Sequence, residues 1–451
     1  MPISLVTALG LEARNIRLAI VGAGGKTTAL FRISRQLSAP VVMTTTTHIL
    51  NEQSNLADEC WICNDSEVML HALGDMEFFP PKTIFICGGE TDDGRLAAVS
   101  DSCQELLLTE CARRNIPLLV EADGARGLAL KAPAEHEPVI PEWVNAVLVV
   151  AGLQGLNQPL NEDTVHRVER FSELSGLSKH ELVTPRALEK ILSHLEGGLK
   201  RIPSSARKLL LLNQADNETL LGQAKGIAET LIGTFDCVAI GSLLPEEDMF
   251  DCEIEAVYVP VASVILAAGG SLRLGQPKAL LQWKGETMVH RAARIALEAG
   301  LSPVIVVAGA EYESISAVLK DLEVTVIENA EWEEGQSTSV KLGLSQVPPR
   351  NGAVIFQVVD QPGLSVDLLW GLVELHRQTR APIIQPYAMG TRSNPVLFDR
   401  AVFPNLMTIS GDQGGRAIFH QFSVMSLPWH DTGILIDLDT PDDLEKLDYL
   451  D

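Results

Sequence analysis

Two glycine-rich segments of the sequence have the composition of phosphate-binding loops, and each directly follows a run of apolar residues. The first is Gly22-Ala23-Gly24-Gly25-Lys26-Thr27-Thr28, and the second is Ala267-Ala268-Gly269-Gly270-Ser271-Leu272-Arg273-Leu274-Gly275-Gln276-Pro277-Lys278. Glycines after a parallel strand let backbone N–H groups approach phosphate oxygens closely. Each loop also contains at least one cation that could neutralise a triphosphate. The sequence therefore predicts two nucleotide sites, although a tight turn alone also uses glycine.

The first loop has the residue types of a compact P-loop. Its glycines would admit the phosphates, Lys26 would neutralise the β/γ charge, and the hydroxyl of Thr27 would hold Mg²⁺. It departs from the usual G-x-x-x-x-G-K-[ST] spacing because Ile20 stands where the first glycine belongs. Asp123, which follows the predicted strand Leu118–Glu121, is the expected second metal ligand.

A further segment of the first half resembles the guanine-reading NKxD motif of GTPases. It reads Asn213-Gln214-Ala215-Asp216 and follows the predicted strand Leu209–Leu212. Glutamine stands in place of lysine, so the choice between ATP and GTP stays open. Thr44-Thr45-Thr46-Thr47-His48 adds a row of hydroxyls after another strand, which β-propensity alone could also explain.

In the second half, we expect two carboxylates to meet at the carboxyl edge of a sheet. Asp360 follows the predicted strand Val354–Val359, and Asp439 follows a predicted strand at Ile434–Ile436. Such a pair can hold one Mg²⁺ against phosphate oxygens, with Asp437 as a weaker candidate. The alternative is that these aspartates cap helices.

Short Val/Ile/Leu runs alternate with helical patterns along the whole chain. This alternation predicts an α/β fold of two domains, each a mostly parallel sheet with helices on both faces. The segment Ser242–Pro260 is acidic, contains two prolines and has little periodicity, so the domain boundary is placed there. We expect domains at 1–250 and 261–451, P-loop-like and Rossmann-like respectively.

The net charge of −24 argues against nucleic acid or an anionic membrane as a partner, since no basic run is present. No segment approaches the roughly 20 apolar residues that a membrane span requires. We therefore expect a cytoplasmic protein. The seven scattered cysteines, including the single pair Cys60 and Cys63, indicate ordinary thiols rather than a disulfide framework or a zinc site.

The second loop and the motifs that follow it resemble the MobA/MocA-like nucleotidyltransferases over nearly all of 261–451. The loop resembles the LAAGxSxRMGxxK signature, and the later segments resemble EGxxxS, DQP, HPVLF, GDxGxR and DIDTPED. In this chain those segments begin at Glu334, Asp360, Asn394, Gly411 and Asp437, with asparagine replacing histidine in HPVLF.

This resemblance implies a site in which Lys278, Arg273 and Asp360 are catalytic and Asp360 and Asp439 bind metal. The implied nucleotide- and substrate-binding residues are Ala267, Ala268, Gly269, Gly270, Ser271, Gly275, Ser337, Gln361, Pro362 and Arg416. It is strongest to the molybdenum cofactor cytidylyltransferases, which implies CTP and a molybdopterin-type cofactor as substrates. Pyrophosphate would leave as the phosphate of the acceptor attacks the α-phosphorus.

The first half resembles the YqeC family over roughly 10–245. The resemblance rests on GAGGKTT, TTTTH, Val165-His166-Arg167 and the segment at 121–141, which contains Lys131 and His136. It implies a role in the maturation of selenium-dependent molybdenum hydroxylases, with binding or hydrolysis of ATP or GTP. The implied nucleotide-binding residues are Gly22, Gly24, Gly25, Lys26, Thr27, Thr28, Asn213 and Asp216.

Three functions are therefore compatible with the sequence. The first is a fused accessory enzyme for molybdenum hydroxylases that builds a dinucleotide cofactor. The second is a nucleotidyltransferase for a sugar phosphate or another small phosphate. The third is a chaperone that carries the cofactor to an apo-hydroxylase.

Overall fold

The computed structural model describes residues 3–74, 82–92, 94–243, 252–269, 274–440 and 442–443. The chain divides into two compact units, Met1–Tyr258 and Val259–Asp451, and each contains its own large sheet. Within the described ranges, none of the helices combines the length and the apolar character needed to cross a bilayer.

The described residues of the first unit form thirteen strands and eight α-helices. Its strands are β1 (Arg17–Gly22), β2 (Val41–Thr45), β3 (Ile49–Leu50), β4 (Glu59–Ile62), β5 (Thr83–Cys87), β6 (Arg95–Leu96), β7 (Leu118–Glu121), β8 (Leu130–Lys131), β9 (Ala146–Gly152), β10 (Val165–His166), β11 (Arg207–Asn213), β12 (Cys237–Leu243) and β13 (Cys252–Tyr258). Its helices are α1 (Leu5–Leu9), α2 (Lys26–Gln36), α3 (Asn51–Ser54), α4 (Ser66–Gly74), α5 (Asp101–Arg114), α6 (Val168–Ser175), α7 (Pro185–Ser193) and α8 (Glu218–Leu231).

Nine of these strands form one sheet in the order β13-β12-β11-β9-β1-β7-β2-β5-β4. All neighbouring pairs are parallel except β12 and β13. The carboxyl ends of β1, β7, β2, β9 and β11 therefore meet at one edge of the sheet, where open α/β sheets bind ligands.

Strand β13 lies within Ser242–Pro260, the segment in which the sequence analysis placed the domain boundary. It pairs antiparallel with β12 and closes the sheet of the first unit. Ile254, Ala256 and Tyr258 are buried while Glu255 between them is exposed. The exposed Glu255 therefore belongs to a paired edge strand, and residues 244–251 of the acidic segment lie outside the described residues.

In the second unit, the part of the chain that the structure describes contains ten strands and five α-helices. Its strands are β14 (Val261–Ala267), β15 (Gln282–Trp283), β16 (Glu286–Thr287), β17 (Val304–Ala308), β18 (Thr325–Glu328), β19 (Ala353–Val358), β20 (Ile383–Ala388), β21 (Thr391–Arg392), β22 (Val396–Asp399) and β23 (Val424–Pro428). Its helices are α9 (Met288–Glu298), α10 (Tyr312–Val318), α11 (Gln336–Ser345), α12 (Val366–Thr379) and α13 (Phe403–Leu406).

The main sheet of this unit runs β18-β17-β14-β19-β22-β20-β21, and β23 pairs with β20. Strands β14, β17, β18 and β19 are parallel, and β22 runs antiparallel to β19 and β20. The strand predicted at Ile434–Ile436 is wrong. A 3₁₀ turn occupies Thr432–Leu435 instead. The prediction failed because a short apolar run has the same pattern in a strand and in a turn that packs on the core.

Helices cover both faces of this sheet, as expected for a Rossmann-like unit. Ile265 of β14 packs in one buried cluster with α9 and α12, whereas its neighbour Val264 packs in a second cluster with α11 and α13. Because alternate strand residues face opposite sides, each face needs its own helices. The loops at the strand ends remain free to form sites.

Candidate functional site

In the first unit, the glycine loop joins β1 to the start of α2 at the carboxyl edge of the sheet. Gly25 has a φ of +121°, and a Cβ added there would lie 2.3 Å from Nδ2 of Asn213. That amide group donates to the carbonyl of Gly24 at 2.7 Å. Glycine is therefore required at position 25 both by the backbone conformation and by the close approach of Asn213.

Lys26 is buried behind this loop and is already paired. Its Nζ donates to the carbonyl of Gly22 at 3.0 Å and lies 3.4 Å from Oδ1 of Asp123 and 3.9 Å from Oε1 of Glu121. Only 5% of the lysine side chain is exposed. The ammonium thus holds the loop against two carboxylates.

The carboxylate in contact with Thr27 is Glu121, the last residue of β7. The Thr27 hydroxyl donates to Oε2 of Glu121 at 3.1 Å. Burial raises the pKa of Glu121, and the charge of nearby Asp123 raises it further, while Lys26 opposes the shift. Sequence reasoning chose Asp123 as the partner of Thr27. Glu121 was identifiable as the acidic residue at the strand end itself.

Asp123 lies beneath the loop and accepts hydrogen bonds from the loop and from a neighbouring lysine. Its Oδ2 accepts from the backbone N–H of Gly22 at 3.0 Å and from Nζ of Lys131 at 2.7 Å. Its Oδ1 is buried and has no hydrogen-bond partner. Asp123 therefore anchors the loop in this structure, and its predicted role as a metal ligand stays a prediction.

The two residues of the NKxD-like segment that were predicted to bind nucleotide are positioned differently. Asn213 is buried and joins the glycine loop to β12, because its Oδ1 also accepts from the N–H of Leu243 at 2.8 Å. Asp216 is exposed and accepts from Gln154 at 2.9 Å and from Ser242. Asn213 thus contacts the loop directly, whereas Asp216 lies among surface side chains.

A wide cleft of about 1180 Å³ opens beside the glycine loop. Lys26, Thr27 and Thr28 line it together with Thr46, Thr47 and His48, so the row of hydroxyls and the loop do come together. His136, Glu137, His166 and Arg167 line it as well. The guanidinium of Arg167 forms two hydrogen bonds to Glu137, at 2.7 and 2.6 Å.

In the second unit, Lys278 joins the two aspartates that the sequence singled out. Its Nζ donates to Oδ2 of Asp360 at 3.1 Å and also to Oδ1 of Asp439. Burial lowers the pKa of Lys278, but the hydrogen bonds to both carboxylates outweigh it and leave the pKa raised. A single cation therefore bridges two loops at the strand ends.

Asp437 and Gln361 support this cluster from behind. The amide of Gln361 donates to Asp437 at 3.0 Å and to the hydroxyl of Ser393 at 3.1 Å. Burial raises the pKa of Asp437, and the charges of Asp360 and Asp439 add to the effect.

The carboxylates suit a hard cation such as Mg²⁺. A magnesium ion commonly uses one or two protein carboxylates and takes its other ligands from phosphate and water. Asp360 and Asp439 already share a cation, so the charge and donor type fit. Among the described residues, no group of three or more His, Cys, Asp or Glu side chains is arranged for a metal. Substrate phosphates would therefore have to complete the coordination.

Apart from Arg416, the remaining residues predicted for this site lie along the glycine loop, in α11 and just after Asp360. Ala267 and Ala268 are buried at the end of β14, Gly269 is exposed, and Gly275 has a φ of +72°. Ser337 is buried in the first turn of α11, and the carbonyl of Pro362 faces Arg291. Gly270, Ser271 and Arg273 lie outside the described residues.

A smaller cavity of about 190 Å³ lies at the same sheet edge, against Leu266 of β14 and Val358 of β19. Arg416, Asn394 and Gln336 line it. Two predicted motifs, the Asn394 segment and the Gly411–Arg416 segment, thus meet here. The sheet edge carries a charged cluster at Lys278 and a separate, partly apolar cavity at Arg416.

Comparison with known proteins identifies both units. A family model described as YqeC protein matches residues 18–169, and one described as MobA-like NTP transferase domain matches residues 263–425. The Escherichia coli (strain K12) protein YqeC is 31% identical over 221 residues, which are 47% of this chain and 81% of that protein.

Two relatives match at the level of the second unit alone. Nicotine blue oxidoreductase of Paenarthrobacter nicotinovorans is 33% identical over 36% of this chain and 82% of its own length. Molybdenum cofactor cytidylyltransferase of Escherichia coli (strain K12) is 27% identical over 40% of this chain and 91% of its own length. The chain thus belongs to the YqeC family through its first unit, and its second unit contains a MobA-like NTP transferase domain, which is a nucleotidyltransferase domain.

Proposed function

We propose that the second unit transfers a nucleotide, CMP from CTP, to the phosphate of a molybdopterin-type cofactor and releases pyrophosphate. The observation that carries the proposal is the bridge from Lys278 to Asp360 and Asp439, next to the strand that leads into the second glycine loop. The similarity to a molybdenum cofactor cytidylyltransferase supports the choice of substrates.

In this mechanism the chain binds and orients, and the acceptor phosphate is the nucleophile. The Lys278 ammonium neutralises charge that builds up on the phosphates, and the N–H groups of the loop orient them. Asp360 and Asp439 would hold Mg²⁺, which supplies Lewis-acid stabilisation of the same charge when bound. The cavity beside Arg416 would receive part of the acceptor.

For the first unit, we propose binding of ATP or GTP in the cleft beside the glycine loop. Thr27 and Glu121 are the groups best placed to meet a phosphate-bound Mg²⁺, since they already contact each other. With both units in one chain, the protein would serve as an accessory enzyme of molybdenum hydroxylases and could meet an apo-hydroxylase as partner.

The decisive experiment measures pyrophosphate release by the full chain with each of the four NTPs, with and without molybdopterin. We expect release that requires both CTP and molybdopterin. Activity with a sugar phosphate in place of molybdopterin would assign the chain to the other nucleotidyltransferases. Because one relative is named nicotine blue oxidoreductase, a parallel assay measures the oxidation of NADH and NADPH. Oxidation of either cofactor without any pyrophosphate release would overturn the proposal.

A further inference from the structure

The cleft of the first unit is larger than one nucleotide requires. Its volume of about 1180 Å³ exceeds the roughly 300–1,000 Å³ of most small-molecule sites. Lys26 and Thr27 line it, and so do His166 and the two arginines whose charges act on that histidine, Arg126 and Arg167. The cleft therefore has room for a second ligand beside a nucleotide.

Arg126 is the cation in this lining that is available to a ligand. It is exposed, and among the described residues it forms no hydrogen bond or ion pair. Lys26 and Arg167, by contrast, are committed to carboxylates. An arginine in this state can offer its whole fork of N–H donors to an oxyanion.

The backbone around this arginine is held in an uncommon conformation. Arg126 has a φ of +51°, and Arg167 has a φ of +68°. Residues other than glycine seldom adopt positive φ, and they concentrate at functional sites where the surrounding structure fixes them. Two such arginines in the lining of one cleft indicate that the cleft is a functional site.

The charges around His166 also favour an anion, despite the net charge of −24. The carboxylate that acts on His166, Glu137, is neutralised by Lys131 at 3.0 Å and by Arg167 at 2.6 Å. Three other acids line the cleft: Glu121 lies 3.9 Å from Lys26, Glu169 bonds to Lys179 at 2.6 Å, and Glu162 is exposed. Burial, followed by the charges of Arg167, Lys131 and Arg126, lowers the pKa of His166 to about 4.

We propose that Arg126 and His166 form a second anion site in this cleft, for the phosphate or carboxylate of a small substrate other than the nucleotide. The guanidinium of Arg126 would bind the oxyanion, and the neutral imidazole of His166 would donate one hydrogen bond to it. The inference rests on the nucleotide site proposed for the first unit, because the nucleotide bound there would be the ligand next to the oxyanion.

Calorimetry on the full chain tests this with inorganic phosphate and succinate as probes, in the presence of saturating Mg²⁺ and the non-hydrolysable analogue AMPPNP. We expect the preferred oxyanion to bind while AMPPNP is bound. Arg126→Asn should weaken its binding about ten- to a hundredfold and leave the affinity for AMPPNP unchanged. Asparagine tolerates a positive φ, so Arg126→Asn should not strain the backbone. Arg126→Lys should retain oxyanion binding, and the two variants together separate a folding defect from a lost contact. Arg170→Asn, outside the cleft, is the matched control.

Two results would overturn the second site: competition between the oxyanion and AMPPNP, or oxyanion binding that is independent of Arg126. A loss of AMPPNP affinity in Arg126→Asn equal to that of the oxyanion would also overturn it, while leaving the proposed nucleotide site intact. The opposite result is also possible: the chain binds the oxyanion through Arg126 but does not bind AMPPNP through Lys26. That result would support the anion site and refute the nucleotide site.

Discussion

The Nζ of Lys278 lies 3.1 Å from Oδ2 of Asp360, although the two residues come from separate loops 82 positions apart in the sequence. Lys278 follows the second glycine loop, and Asp360 follows strand β19. Parallel pairing of β14 with β19 brings these loops to the same sheet edge. The contact joins the cation that we propose for phosphate binding to the carboxylate that we propose for metal binding.

Replacement of Asp360 by asparagine should abolish nucleotidyl transfer without unfolding the protein. The carboxylate is partly exposed and bonds to Lys278 alone among the side chains described, so we expect a loss on the order of a hundredfold or more in rate and at most about 1 kcal/mol in stability. Pyrophosphate release and a thermal melt measure the two effects. Asp367→Asn, an exposed acid at the start of α12, is the control. Near-normal release in the Asp360 variant would refute the metal assignment.

Replacement of Lys26 by alanine should remove nucleotide binding from the first unit and also destabilise that unit. The ammonium lies within 3.9 Å of Glu121 and Asp123, so its loss removes a cation from beside two largely buried carboxylates and should cost about 3 kcal/mol or more. AMPPNP affinity, measured below the melting temperature, should fall about ten- to a hundredfold.

Lys225→Ala, on α8, provides the control for Lys26 because it removes a lysine outside the cleft. Transfer by the second unit should persist in both variants. If Lys26→Ala leaves two intact nucleotide sites, the first loop is only a turn. If it silences transfer as well, the two units are functionally coupled.

Gly25→Ala should disrupt the first glycine loop, whereas Gly222→Ala should be tolerated. A Cβ at position 25 would lie 2.3 Å from Nδ2 of Asn213 on a backbone with a φ of +121°, while a Cβ at Gly222 meets nothing within 4 Å. Gly222 lies in α8, where alanine gains about 0.5–1 kcal/mol over glycine. Thermal melts and AMPPNP binding should separate the pair, and equal behaviour of the two variants would contradict the described loop geometry.

His166 should titrate far below an ordinary histidine, with a midpoint near 4. Since burial and neighbouring cations favour the neutral imidazole, its contribution to stability is present above the usual pKa of about 6.5 and is lost as the pH falls towards 4. Histidine-selective NMR should show this midpoint, a higher one in Arg126→Asn, and no change in Arg170→Asn. A midpoint at the ordinary value would mean that these cations do not act on the ring.

A fragment that begins at Val259 should fold and retain transferase activity. The second unit has its own sheet and, among the described residues, three buried apolar clusters, so we expect its stability not to require strands of the first. A cut that removes residues from β13 would instead damage the first unit, because β13 pairs with β12. Solubility and pyrophosphate release of 259–451 test the point; activity restored only by adding 1–258 would show a shared site.

The order of residues along the chain was enough to predict the α/β class, both glycine loops and the acids that follow β7 and β19. These features are local, since a glycine loop and the apolar run before it occupy adjacent positions. The sequence could not show which partner each charge would take. Whether Thr27 meets Glu121 or Asp123 depends on the register of β1 against β7, in which Ile20 lies opposite Glu121. Only the packed first sheet decides that register and the burial of Lys26. In the second unit, the pairing of β14 with β19 likewise decides that Lys278 meets Asp360.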